Sequence, residues 1–249
     1  MRKRPPTPDC PDPDRYTLVR TRRRSYWRKR RGTVTPAKLN EAFAKNVKLS
    51  KLAGPVSKRI MTALSPYTTY LETGWLNLYI TNAMKKGYKR TGEFNLSVLE
   101  NLEIQEEYPL EKIVENNYKI NVETNSINVR IPIWVSTMKR PTREADRFSF
   151  ELMLLWGDPS KDNKLRTEQA TSEFYSFQEI QEEFKRRTLE KDYNGKATRY
   201  CDLQLVLPGQ NIQWIVLIKV SCQFEMTLSG HPKYYGMKVI ATSAGQDHR

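Results

Sequence analysis

Few residues of this chain have the side chains and spacing that catalysis requires. His231 and His248 are its two histidines, and a histidine-based metal site or general base would depend on His231, because His248 is the penultimate residue. His231 stands before Pro232 in a Ser-Gly-His-Pro sequence that is typical of a plain turn. Neither a Gly-x-x-x-x-Gly-Lys nor a Gly-x-Gly-x-x-Gly phosphate-binding loop is present. We therefore predict that the protein is not an enzyme and has no cofactor.

Two groups of acidic residues have a spacing that metal ligands could have, but neither is expected to form a metal site. The aspartates of the N-terminal tail are spaced like loose metal ligands, but residues 1–15 contain five prolines and almost nothing apolar, which predicts no ordered site. A second acidic group falls on one turn of a predicted helix, and nothing indicates a metal that bridges its members. The first group is Asp9, Asp12 and Asp14, and the second is Glu179, Glu182 and Glu183.

The cysteines do not indicate a disulfide framework. Cys10, Cys201 and Cys222 are an odd number with no Cys-x-x-Cys spacing, which also argues against a cysteine zinc site. Cys201 and Cys222 lie in apolar, strand-like segments, so we expect buried and unreactive thiols there. A reducing, cytoplasmic environment fits this pattern.

Positive charge is the strongest functional signal in the sequence. The net charge is +14, and residues 1–90 contain 22 Lys or Arg against 5 Asp or Glu, whereas residues 91–249 contain 20 against 23. Residues 1–31 alone hold 12 basic and 3 acidic residues. Such a density of like charge repels itself and favours an extended arm unless something anionic neutralises it.

The basic arm combines cations with aromatic side chains. Cations neutralise phosphates and aromatic rings stack on bases, so the arm is typical of polyanion binding, with nucleic acid favoured. An acidic protein partner and a merely solubilising tail are the alternatives. We expect that changing the seven cations of the arm to alanine lowers affinity for unrelated nucleic-acid sequences alike. The predicted contacts are Arg22, Arg23, Arg24, Arg28, Lys29, Arg30 and Arg31, with Tyr26 and Trp27 stacking or wedging.

A second group of cations follows on a predicted amphipathic helix. Lys45, Lys48 and Arg59 belong to the side opposite an apolar stripe, so this face could extend the positive surface of the arm into a folded platform. An ordinary solvated helix face is the alternative. Since no helix-turn-helix, zinc-finger or RNA-binding sheet signature accompanies it, base-specific recognition is not expected.

Two predicted helices carry this platform. Thr35-Pro36 favours a helix start, and we expect a break or kink at Gly54-Pro55. A second helix is predicted from Ser65-Pro66 to Gly87. We expect its aromatic residues to be buried between the basic region and the sheet, or against another copy of the chain. They are Tyr67, Tyr70, Trp75 and Tyr79.

The rest of the chain has the alternation of β-strands. We predict a hairpin turn at Pro208-Gly209-Gln210-Asn211, and a helix capped by Ser176 with Glu179 at capping-box spacing. The fold class is therefore α+β: a basic arm and helical region followed by an antiparallel β-sheet or sandwich with one inserted helix. The predicted strands cover residues 112–122, 128–136, 147–156, 198–207, 212–226 and 234–242.

The predicted organisation has four parts: a flexible basic arm over 1–34, a helical region over 35–90, a transitional segment over 91–110 and a β-rich domain over 111–249. The longest apolar run, residues 214–218, is far shorter than the roughly 20 residues of a membrane-spanning helix. We expect neither a membrane anchor nor an export signal.

Several local motifs resemble those of a protein family. The segment Tyr-Thr-Leu-Val-Arg-Thr from Tyr16, the helical stretches 43–46 and 57–60, and Gly92-Glu93-Phe94-Asn95 before a β-rich end are similar to basic bacterial proteins of the Bacteroidota type. The resemblance covers about residues 16–135. It implies a bacterial origin but no activity and no residue role.

Two hypotheses follow. The first is a non-enzymatic binding protein whose cationic arm and helical face engage a polyanion, with nucleic acid favoured. The second is a structural or assembly subunit, a homo-oligomer or part of a larger complex, whose arm and β edge dock on neighbouring chains.

Overall fold

The computed structural model describes residues 16–20, 25–29, 41–115, 118–189, 199–209, 211–224, 227–228 and 230–243. It divides into two compact units, Met1–Lys48 and Leu49–Arg249. The predicted aspartate group of the tail and the Thr35-Pro36 helix start lie outside the described residues.

The predicted α+β class is confirmed. Among the described residues, three helices accompany eleven strands in antiparallel sheets, and strands β3 to β11 of the second unit form a sandwich-like β domain. No described helix has the length and apolar character needed to cross a membrane. The helices are α1 (Glu41–Leu64), α2 (Leu76–Thr91) and α3 (Phe177–Thr188). The strands are β1 (Tyr16–Arg20), β2 (Ser25–Lys29), β3 (Lys119–Val122), β4 (Ser126–Ile133), β5 (Arg147–Trp156), β6 (Arg166–Thr171), β7 (Tyr175–Ser176), β8 (Arg199–Val206), β9 (Trp214–Phe224), β10 (Thr227–Leu228) and β11 (Tyr235–Thr242).

In the first unit, β1 and β2 form an antiparallel pair. Leu18 lies opposite Trp27, and Val19 lies opposite Tyr26. Because successive residues of a strand point to opposite faces, Tyr26 and Trp27 occupy different faces of the pair.

Helix α1 continues through Gly54-Pro55, so the predicted break is wrong. A proline inside a helix costs about 3 kcal/mol. Pro55 itself is exposed, whereas Val56, Ile60 and Leu64 on the same helix are buried in the core. Burial of each such side chain contributes about 1.5–3 kcal/mol, and together they outweigh the proline.

The predicted limits of the second helix are also wrong. Ser65–Tyr67 form one 3-10 turn, and α2 begins at Leu76. Gly87 lies within α2, where it is buried and faces Val98. Gly92 ends the helix instead, because its φ of +80° is the left-handed conformation that closes a helix and suits glycine.

The larger sheet has the strand order β10-β9-β5-β6, with β11 also paired to β9 and β7 to β5. The smaller sheet has the order β3-β4-β8. All six predicted strands have a counterpart, although Leu110–Lys112 form a 3-10 turn, so the first strand starts only at Lys119. The short strands β7 and β10 and the polar strand β6 were not predicted, because they lack an apolar alternation.

The hairpin predicted at residues 208–211 is wrong. The strands on either side belong to different sheets: β8 pairs with β4, and β9 pairs with β5 and β11. The segment therefore connects the two sheets. By contrast, the cap of α3 is confirmed, because Ser176 Oγ accepts a hydrogen bond from the Glu179 amide at 3.3 Å.

One contiguous hydrophobic core joins the elements of the second unit. It includes Ile60 of α1, Ile80 of α2, Ile131 of β4, Leu154 of β5 and Ile218 of β9, each fully or almost fully buried. This core fixes the faces that α2 and the second half of α1 turn towards solvent.

Candidate functional site

Helix α2 and the part of α1 in the second unit are connected by polar contacts at two levels. Ser57 Oγ donates to Asn77 Oδ1 at 2.6 Å, and Lys85 Nζ donates to Ser50 Oγ at 3.3 Å. The order of the contacts is reversed between the helices, so they run antiparallel. Lys51 is therefore level with the C-terminal half of α2, and Lys58 with its N-terminal half.

Helix α2 has one buried and one exposed face. Leu76, Ile80, Met84 and Gly87 repeat at helical spacing and are buried. We name the opposite side the α2 outer face and define it by residues on the other stripe of the helix. They are Trp75, Leu78, Tyr79, Asn82, Lys86 and Lys89.

The charged side chains of α2, and those of α1 in the second unit, are all positive. Helix α2 contains four cations and no Asp or Glu. We name its cations, together with the two exposed lysines of α1 in the second unit, the helical cation surface. Its members are Lys51, Lys58, Lys85, Lys86, Lys89 and Arg90, and all but the partly buried Lys85 are exposed.

The ion pairs of the described residues lie elsewhere. They join cations and carboxylates that both belong to residues 91–249, such as Arg130 with Asp202 at 2.6 Å and Lys219 with Glu151 at 3.1 Å. Within the part of the chain that the structure describes, no carboxylate lies within 4.0 Å of an ammonium or guanidinium of the helical cation surface. Part of the positive charge of the sequence is thus present, within the described residues, as six cations on two helices that form no ion pair.

The three residues of α1 that the sequence predicts to contact nucleic acid have different surroundings. Lys45 and Lys48 are exposed on α1. Arg59 is half-buried and donates to the carbonyl oxygens of Pro159 and Ser160, at 3.0 and 3.3 Å, in the loop between β5 and β6. It therefore ties α1 to that loop, and a nucleic-acid contact by Arg59 stays a prediction.

The arm is described only in part. Tyr26 and Arg28 are exposed on β2, Trp27 is half-buried, and the backbone of Lys29 belongs to the same strand. Tyr26 and Trp27 cannot stack on the same base from one face of the strand pair. The remaining predicted contacts, Arg22, Arg23, Arg24, Arg30 and Arg31, lie outside the described residues.

The predicted aromatic residues divide into two groups. Tyr70 stacks on Tyr235 with ring centroids 5.4 Å apart, and Tyr67 bonds through its hydroxyl to Thr167. Trp75 is 66%, Tyr79 43% and Tyr70 41% exposed, so the expected burial of these three between the basic region and the sheet is wrong, and only Tyr67 is partly buried. Burial against another copy stays a prediction for these three. The apolar periodicity missed this result because it cannot separate a core aromatic from a surface one.

His231 caps a turn. Its Nδ1 accepts a hydrogen bond from the Lys233 amide at 3.2 Å, and its ring meets the ring of Tyr108 edge-on at 6.2 Å. Among the described residues, no group of three or more His, Cys, Asp or Glu could hold a metal ion. Glu179, Glu182 and Glu183 lie on α3, where Glu179 pairs with Arg199 and Glu183 with Arg187.

Buried ionisable side chains outside the helices include two cysteines and a lysine. Cys222 is fully buried, which raises the pKa of its thiol to about 12, and burial also raises the pKa of Cys201. Lys238 pairs with Glu103 at 3.3 Å and with Glu111 at 3.1 Å. Burial raises the pKa of Glu103, although Lys238 opposes this shift. These contacts hold a strand of the larger sheet to the segment before β3.

A cavity of about 490 Å³ opens beside the β5–β6 loop and was not predicted, because it forms between loops distant in sequence. Its acids already have partners: Asp158 accepts from Ser160 and pairs with Lys161, and Asp162 accepts from the Asp158 amide. Gln213, which also lines the cavity, forms hydrogen bonds with the backbone of Phe94 and Leu96.

Comparisons of this chain with protein-family models, with curated proteins and with solved structures found no match.

Proposed function

We propose that this protein is a non-enzymatic, nucleic-acid-binding protein whose helical cation surface contacts the phosphate backbone. One observation carries the proposal: six cations on two packed helices have no described carboxylate within ion-pair distance, while the ion pairs of the described residues lie in the β-rich part. A surface of one sign attracts a polymer of the opposite sign and releases its condensed counterions.

The basic arm belongs to the same proposal. Its cations, together with Lys45 and Lys48, add positive charge beyond the helical cation surface. Because phosphate contacts position a protein without reading sequence, we expect similar affinity for unrelated sequences.

The test compares two variants with the same net charge. The helix variant changes Lys58, Lys86, Lys89 and Arg90 to alanine, and the control variant changes Lys119, Arg143, Lys185 and Arg186, which are exposed cations of the β-rich part. Binding to a labelled oligonucleotide is measured by fluorescence anisotropy over a range of salt concentrations. Each lost phosphate contact lowers the slope of log affinity against log salt by about 0.7–0.9, so the helix variant loses about 3.

The control variant separates local contact from overall charge. It retains nearly the full slope if the helical cation surface is the binding site. Equal losses in both variants would show that net charge alone is responsible, and the proposed surface would be wrong.

The second candidate function is an assembly subunit. Strand β6 favours it, because β6 ends the described strand order of the larger sheet and is mostly exposed. An open strand edge can pair with a strand of another chain. Purification distinguishes the two functions: nuclease-sensitive ultraviolet absorbance supports nucleic-acid binding, and a discrete oligomer of pure protein that persists in high salt supports assembly.

A further inference from the structure

The α2 outer face changes character along the helix. Its N-terminal end is apolar and aromatic, with Trp75 66%, Leu78 50% and Tyr79 43% exposed. Its C-terminal end carries Lys86 and Lys89. Exposed apolar groups of this size on one short stripe are unfavourable in water and are typical of an interaction surface.

The order of these residues suits a nucleic-acid strand with accessible bases. A base can stack on Trp75 while phosphates further along the strand reach the lysines. The helical rise of about 1.5 Å per residue separates the positions of Trp75 and Lys86 by roughly 16 Å. About five stacked nucleotides cover this distance at roughly 3.4 Å each.

The acidic side chain near the aromatic end fixes the orientation. The Tyr79 hydroxyl donates to Glu106 Oε2 at 3.0 Å, and this hydrogen bond with Glu106 raises the pKa of Tyr79. Glu106 places a negative charge beside Tyr79, whereas the cations of α2 lie in its C-terminal half and attract phosphates there. On the α2 outer face, a base is therefore favoured at the aromatic end, and the phosphates of nucleotides further along the strand are favoured at the C-terminal end.

A duplex cannot use the aromatic end in this way, because its base faces are covered by neighbouring pairs except at its ends. Charge complementarity also favours a nucleic acid over a second copy of the chain, since α2 contains four cations and no Asp or Glu and offers a second α2 no opposite charge. From these contacts we propose that the protein prefers single-stranded nucleic acid and that Trp75 stacks on a base. This inference rests on the proposed function and specifies its substrate.

The experiment uses the full chain and two probes: a labelled oligothymidylate of roughly 20 nucleotides and a labelled duplex of similar length. Trp75→Ala is expected to weaken binding of the single strand by about five- to hundredfold, and to leave duplex binding nearly unchanged. Trp75→Phe retains a ring and most of the affinity. Phe174→Ala, at a side chain 46% exposed in the β-rich part, is the matched control and has no effect.

Tryptophan fluorescence gives a second readout. Stacking quenches Trp75, which is far more exposed than Trp134 and Trp214 at 4% each. Because Trp27 is also a predicted stacking residue, the comparison is made in a Trp27→Phe background: oligothymidylate should quench the emission of Trp27→Phe but change that of Trp27→Phe/Trp75→Phe much less.

The possible failures are distinguishable. If wild-type protein binds neither probe, the proposed function and this inference both fail. If it binds both probes equally, and Trp75→Ala changes nothing while the helix variant loses affinity, only the preference for single strands fails. If Trp75→Ala dissociates an oligomer without affecting nucleic-acid binding, the aromatic end contacts protein and the inference is overturned.

Discussion

The guanidinium of Arg59 donates a hydrogen bond to the carbonyl oxygen of Pro159 at 3.0 Å, which connects α1 to the loop between β5 and β6. A second contact reaches the carbonyl of Ser160 at 3.3 Å. One side chain thus links a helix to a loop 100 residues further along the chain.

The first prediction concerns this contact. Arg59→Ala leaves a partly buried carbonyl without its charged donor, and we expect the free energy of unfolding to fall by about 1–3 kcal/mol. Urea denaturation measures the change, with Lys58→Ala, at an exposed neighbour, as the control. We expect the opposite order for nucleic-acid affinity. A larger loss of affinity for Arg59→Ala than for Lys58→Ala at equal stability would make Arg59 a ligand-binding residue.

The second prediction concerns the packing of Gly87 on α2. A Cβ atom at this position would come 2.6 Å from Val98 Cγ1, closer than side chains tolerate. Gly87→Ala should therefore lower the free energy of unfolding by about 1–3 kcal/mol, although alanine is the better helix former. Thermal and urea denaturation check this value.

The control for Gly87 is Gly54 in α1. Apart from its chain neighbours, nothing lies within 4 Å of a Cβ built there, but the Cδ of Pro55 disfavours a side chain at the helical position before it. The gain in helix propensity is therefore offset, and Gly54→Ala should change the free energy of unfolding by less than about 1 kcal/mol. A clear loss of stability for Gly87→Ala and a smaller change for Gly54→Ala are the expected result. If Val98→Ala does not relieve the cost of Gly87→Ala in the double variant, the steric explanation fails.

These two glycines also show which features could not be predicted from the sequence, namely those that depend on tertiary contacts. Gly87 follows two lysines, Lys85 and Lys86, and that order is typical of a helix end, but the contact with Val98 that gives Gly87 its role cannot be seen along the chain. Similarly, Gly54-Pro55 alone predicts a break in the helix. The burial of Val56 and Ile60 stabilises the helix through this point, and that burial cannot be read from the local sequence.

Local patterns that depend on few residues were predicted correctly. The Ser176 cap and the limits of β5 depend on side chains within a few positions. Sheet partners depend on distant residues, and this explains why β8 and β9 were wrongly joined as a hairpin. The excess of basic residues was visible in the sequence, but the separation of the helical cation surface from the carboxylates of the β-rich part required the ion pairs.

The third prediction concerns thiol reactivity. Burial raises the pKa of Cys222 to about 12 and also raises that of Cys201, and a thiol reagent attacks the thiolate. In a Cys10→Ser variant at mildly alkaline pH, we expect no reaction with the folded protein and reaction of both thiols after unfolding. The reagent releases a chromophore when it reacts with a thiol, and the absorbance of that chromophore gives the number of thiols that have reacted. Rapid labelling of the folded variant would contradict the burial of these cysteines in the core.

The last prediction concerns the pH dependence of stability that arises from Lys238. Burial alone would lower the pKa of its ammonium, but the hydrogen bond to Glu111 and the charge of Glu103 outweigh burial and raise the pKa above its ordinary value of 10.5. The folded state therefore holds this proton more tightly than the unfolded chain. Its stabilising contribution is complete below pH 10.5 and is lost as the pH rises through the higher folded pKa.

Tyr118 faces the same groups, and burial raises the pKa of its hydroxyl, so its ionisation reduces stability in the same direction. The measurement therefore starts from Tyr118→Phe and compares it with Tyr118→Phe/Lys238→Met by urea denaturation between neutral and strongly alkaline pH. One proton contributes at most about 1.4 kcal/mol per pH unit to the slope. The variant that retains Lys238 should lose stability more steeply as the pH rises through this range. Parallel curves for the two variants would mean that the ion pairs of Lys238 with Glu103 and Glu111 contribute nothing to the folded state.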